Sequence, residues 1–169
     1  MKSILENYLS KYYDKSDLTE PFCEVNDDFE IICLGFKVGI NNPNQIESAF
    51  QKSIDIFNSI FNENDKVWIL INGWKDPISD YVTNLFGNPT LDSCKWESYN
   101  ESDGWSREQI FLIRNKEDID FKQLFRSILN TEQNIAPRID NRIHFINPII
   151  HKTFMLWDGG ISLGKRKSN

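Results

Sequence analysis

An α+β domain is the fold class this sequence predicts, and three observations carry it. Segments with helical spacing alternate with short apolar runs, which is the pattern of helices laid on a sheet. Near the end, an apolar run from Arg142 to Asn147 and another from Lys152 to Trp157 flank Pro148, and two β-rich runs joined by a Pro-containing turn read as a hairpin. At 169 residues the chain fits a single domain over 1–169, with Lys165, Arg166 and Lys167 opening a flexible basic tail at 165–169.

The elements follow in order. Ile4, Leu5, Tyr8, Leu9 and Tyr12 recur at helical spacing, so residues 3–13 form an amphipathic helix over the core. Phe29 to Phe36 reads as a buried strand, ended by Gly35, Gly39 and the Asn41-Asn42-Pro43 breaker. Pro43 can open the next helix, because its missing N–H is unpaired there anyway. Over 44–61, Ile46, Phe50, Ile54, Phe57 and Phe61 paint one helical face with large side chains. Lys66 to Asn72 (KVWILIN) is a continuous apolar run typical of a central strand covered on both faces.

A weaker helix is expected from about Ile78 to Phe86, after Pro77 and before Gly87-Asn88-Pro89. Cys94 to Tyr99 is an edge-strand candidate, followed by an exposed loop, and Gln109 to Arg114 is a strand by its Ile, Phe and Leu content. Asp118 introduces a helix over about 119–130, with Phe121, Leu124, Phe125 and Ile128 on its inner face. The terminal hairpin requires one antiparallel pair, and the helical connections elsewhere predict a mixed sheet with helices packed on it.

Composition narrows the functional classes. Twelve Phe and five Trp supply a continuous core, and 26% charged residues keep the surface soluble, which excludes global disorder. Residues 1–65 carry twelve acids against five lysines, a charge of −7, and the remainder is near neutral at +1, for a net charge of −6. A negative field repels phosphates and attracts basic partners, which argues against nucleic acid as a ligand. Cys23, Cys33 and Cys94 form no C-x-x-C pair, so neither a disulfide framework nor a zinc site is expected, and Cys33 reads as a small core residue. No run of about 18 apolar residues and no leader-like N-terminus is present, so no membrane partner is expected and the expected location is cytoplasmic.

Two sites are candidates. Between Asp92 and Trp105, aromatic residues stand in a polar, glycine-containing segment: Trp96, Glu97, Tyr99, Glu101, Asp103 and Trp105. Trp and Tyr anchors dominate protein interfaces and neighbouring acids steer a cationic partner, while the plainer reading folds the tryptophans back on the domain. The second candidate is His144, His151 and Asp158. With a turn at Asn147 to Ile150 that sets Ile146 opposite His151, both imidazoles share one face of the hairpin, two cross-strand pairs apart. Two histidines without a third ligand define no metal site, and a strand-end Asp158 before Gly159-Gly160 is equally a turn residue. There is no G-x-S-x-G elbow, no GxxxxGK[ST] and no GxGxxG, so no catalytic set and no cofactor is expected. The Ile161-Ser162-Leu163-Gly164-Lys165 stretch lacks a following helix and is expected to be a frayed tail.

Phe36 to Gly39, Ile56 to Phe61 with Lys66 to Lys75, Ile119 to Asn130 with Ala136-Pro137-Arg138, and Ile143 to Gly160 together resemble a bacterial domain family of unknown function. That family is marked by I-F-x-x-x-F before an apolar strand and by an F-F-I-N hairpin closing in Y-D-D-R-G. Here the closing motif is Trp157-Asp158-Gly159-Gly160, without the arginine and one of the acids. The resemblance implies an α+β domain without known enzymatic activity. By analogy of size and acidity, the expected function is a non-catalytic protein-binding module, of the kind of an immunity protein neutralising a cationic toxin. The alternative is a small-ligand binder or hydrolase-like enzyme using Asp158, His144 and His151 at the sheet edge.

Overall fold

The apolar runs assemble into one seven-stranded sheet in the computed structural model, which describes residues 1–12, 29–36, 43–73, 77–87, 93–100, 105–131, 134–157 and 159–166. In chain order the elements are α1 (Lys2–Tyr12), β1 (Phe29–Gly35), α2 (Pro43–Ile60), β2 (Lys66–Asn72), α3 (Asp80–Asn84), β3 (Ser93–Asn100), β4 (Trp105–Asn115), α4 (Phe121–Leu129), β5 (Arg142–Asn147), β6 (Lys152–Trp157) and β7 (Gly160–Arg166). The α+β class holds. Across the sheet the order is β1-β7-β6-β5-β2-β4-β3.

Every described pairing is antiparallel, whereas the sequence predicts a mixed sheet. The reason lies in where the helical connections land. Each joins strands that run the same way: α2 carries the chain from β1 to β2, α3 from β2 to β3, and α4 from β4 to β5. In each case at least one oppositely directed strand lies between them, so a crossover that would ordinarily make a parallel pair makes none.

The helices α2, α3 and α4 cover one face, over Val67, Ile69, Ile71, Ile110, Leu112, Ile143, Phe145, Phe154, Leu156 and Ile161. Phe57 of α2 is the hub. Its ring lies 4.6 Å from Phe61 and 4.3 Å from Phe121, and meets Phe125, Phe145 and Phe154 edge-on at 5.3–5.4 Å. Lys116 closes the end of α2, donating to the Phe61 carbonyl at 2.6 Å and to Asn58 Oδ1 at 2.7 Å. Burial lowers its ammonium pKa, opposed by the nearby charges of Asp65 and Glu63. On the opposite face α1 lays Leu5, Tyr8 and Leu9 on Leu70, Phe111 and Ile146, so β2 is covered on both sides, as its unbroken apolar run predicts.

Three expectations change. β1 is an end strand and leaves Ile32 and Cys33 exposed; an apolar run alone does not distinguish a central strand from an edge, so Cys33 is not a core residue. The stretch from Ile161 to Lys165 is no frayed tail but most of β7, held between β6 and β1. Lys165 and Arg166, expected in the basic tail, pair with Glu30 and Phe29, while 167–169 lie outside the described residues. Among the described residues no helix is long and apolar enough to cross a membrane.

Candidate functional site

The hairpin of β3 and β4 runs past the rest of the sheet. The last pair joining β2 to β4 is Asn72 with Gln109, yet β3 and β4 continue through Glu97 with Glu108, Ser98 with Arg107, Tyr99 with Ser106 and Asn100 with Trp105. Four further pairs extend this two-stranded arm by roughly 13 Å at strand rise. Much of the segment expected as an exposed loop is therefore strand, because β4 begins at Trp105 and not at Gln109.

The candidate interface residues divide along this arm. Trp96 is half-buried at its base, packed with the Leu70 and Phe111 cluster under α1, and Lys2 Nζ stands 5.3 Å from its ring centre. Glu97 is exposed and pairs with Glu108 across the strands. Like charges directly opposite repel. Glu108 is engaged inward, in an ion pair with Lys95 and as acceptor for the Ile78 amide at 2.9 Å, and Glu97 faces solvent. Tyr99 and Trp105 are placed by their backbones on the arm; Glu101 and Asp103 lie outside the described residues.

Beside the base of the arm, on the face that α1 covers, lies a polar cluster that the sequence reading misses. Trp96, Gln109, Asn72 and Arg142 form one transverse row across four strands. Asn72, Arg107, Gln109 and His144 are each 5% exposed or less, and Gln109 Nε2 donates to Asn72 Oδ1 at 2.6 Å. The signal that could have found them is parity. Asn72 alternates with Trp68 and Leu70, and Arg107 and Gln109 alternate with Phe111, so a sheet covered on both faces must take these polar side chains inside.

The histidine pair does not converge. Ile146 pairs with Thr153 and Asn147 with Lys152, so the register differs by two residues from the expected one and His151 stands in the turn. Asn147 causes this: its side-chain carbonyl accepts from the amides of Ile149 at 3.1 Å and Ile150 at 3.4 Å, moving the turn one residue on. His151 adopts φ +52° and stacks on Tyr8 with ring centres 6.0 Å apart. His144 lies opposite Met155, four residues along β6 from His151 and hence roughly 13 Å away. Burial, followed by the positive charge of Arg142, pushes the His144 pKa down to about 3, so its ring is neutral at physiological pH. Asp158 lies outside the described residues, and among those described no three His, Cys, Asp or Glu side chains are grouped to hold a metal ion.

The glycines after Asp158 serve close packing. A Cβ on Gly160 would sit 2.5 Å from the Leu34 carbonyl oxygen, and one on Gly159 would sit 2.8 Å from Trp157 Nε1. The backbone that approaches is the chain's own β1, with the Phe36 amide donating to the Gly159 carbonyl at 2.8 Å.

A family model described as a domain of unknown function (DUF3885) matches residues 23–165. No curated protein and no solved structure matches the chain.

Proposed function

The chain belongs to the DUF3885 family, and we propose that it is a non-catalytic protein-binding module that takes up a cationic partner on its β3–β4 arm. One observation carries this reading: the arm outruns the sheet by four residue pairs, with Tyr99 and Trp105 in its strands and Glu97 exposed on its flank. Aromatic side chains supply much of the energy at protein interfaces, and the exposed Glu97 carboxylate favours a basic surface over an acidic one. By analogy of size and acidity, we read it as a bacterial immunity protein that acts in the cytoplasm on a basic toxin.

The test is affinity capture from a lysate of the native host, with the wild-type chain and a Glu97→Lys/Trp105→Ala chain as parallel baits. A basic protein retained by the wild type alone, released by moderate salt, and toxic on expression unless this chain is co-expressed, is the expected result. Equal capture by both baits, or retention indifferent to salt, rejects the arm as the interface.

A further inference from the structure

We propose that α1 is a strap that sets the angle of the β3–β4 arm, gripping its base at Trp96 through Lys2, so that the arm meets its partner in the attitude that docked α1 imposes. The inference rests on the reading of the arm as an interface and adds to it the element that regulates it.

Trp96 stands at the hinge of the arm. It pairs with Gln109, the last residue of β4 that β2 also holds, and the next pair outward, Glu97 with Glu108, begins the overhang. Two strands without a third beside them are marginal in water, so the attitude of the overhang depends on what grips this hinge. Both sides of it are gripped. At Glu108 the Ile78 amide donates to the carboxylate at 2.9 Å and the Gly73 amide to the backbone carbonyl at 2.8 Å. At Trp96, on the other face, α1 sets Lys2 Nζ 5.3 Å from the ring centre, with Met1 packed on the same apolar cluster.

The two grips differ in kind. The first belongs to the folded chain around β2, whereas the second is a helix of 11 residues, too short to hold its shape undocked. Leu5 and Leu9 are fully buried on Leu70, Phe111 and Ile146, and the Tyr8 ring lies 5.4 Å from Trp68 and 6.0 Å from His151. α1 therefore docks or melts as a unit, and while docked it ties the base of the arm to the β5–β6 turn. Lys2 is placed against local preference, since a cation in the first turn faces the positive end of the helix dipole. Glu6, one turn on, offsets this at 3.8 Å, and over the Trp96 ring the same charge gains a favourable contact with the arm. The strap also precedes residues 23–165, the stretch shared with the family.

Hydrogen exchange of the full chain, read residue by residue, tests the coupling. Leu5→Ala/Leu9→Ala is expected to raise exchange in α1 by more than about tenfold, and that of arm amides 97–100 and 105–108 with it, while β6 and β7 stay protected. Lys2→Ala, at a 42% exposed side chain, is expected to raise exchange in the arm about two- to fivefold, and Lys2→Arg to restore wild-type rates. Arm exchange that is unchanged when α1 melts, or that is the same in Lys2→Ala as in the wild type, overturns the proposal; if the double variant also loses protection in β6 and β7, Lys2→Ala alone decides. As baits in the capture described above, Lys2→Ala is expected to retain less of the partner than Lys2→Arg. A partner held equally by both rejects the strap and leaves the arm as the interface. Arm exchange that follows Lys2 while no bait retains a partner rejects the interface and leaves the strap standing.

Discussion

His144 shows how much a single buried titratable side chain can decide. Its folded-state pKa of about 3 lies below the ordinary histidine value of 6.5, so as pH falls below 6.5 the unfolded chain takes up a proton that the folded chain refuses. The stability it withholds grows by about 1.4 kcal/mol per pH unit until the folded pKa is reached, or about 2–3 kcal/mol at pH 4.5. Between pH 7.5 and 4.5, chemical denaturation of the wild type should therefore lose about that much more stability than that of His144→Gln; parallel losses would refute the assignment. Asn147 illustrates a different economy of contacts, since one amide joins the α2 end, through the Ile60 carbonyl at 2.9 Å, to the turn before His151. Asn147→Ala should cost about 1–3 kcal/mol, measured by thermal unfolding, because the Ile60 carbonyl and the turn amides lose their partner together. Neither role is visible in the sequence: an Asn beside a Pro announces a turn, but not the helix it also ties down.

Elements were largely legible, and their limits explain the misses. The spacing of Phe50, Ile54, Phe57 and Phe61 outlines α2, and the paired runs around Pro148 give β5 and β6 with their observed ends, because long apolar periodicity and turn chemistry are local signals. Edge position and register are not local. β1 looks central from its composition and β7 looks like a tail, and only their mutual pairing over 120 residues of chain explains both. That pairing depends on Gly160, where an added methyl would collide with backbone at Leu34 and Gly35. Gly160→Ala should therefore destabilise by about 1–3 kcal/mol and raise amide exchange chiefly in β1 and β7, whereas Gly159→Ala, which meets the movable Trp157 ring, should do less. Equal exchange in all strands would show that the collision is relieved elsewhere.

At the scale of the whole molecule, the Phe57 hub joins two helices to β5 and β6 in one aromatic cluster. Phe57→Ala should cost about 3–5 kcal/mol and lower the melting temperature by on the order of 10 °C, a loss read by scanning calorimetry. The candidate site was half legible. The aromatic and acidic residues of the arm stand out by composition, but the polar row of Gln109, Asn72 and Arg142 emerges only when three distant strands are set side by side. The sheet order has a bearing on biosynthesis. Because β1 pairs with β7, β1 must wait for residues 160–166 to leave the ribosome, through about 125 intervening residues. During translation the apolar segment FEIICLG is thus a nascent edge without its companion, and the cell's chaperones would meet it before the rest of the sheet does.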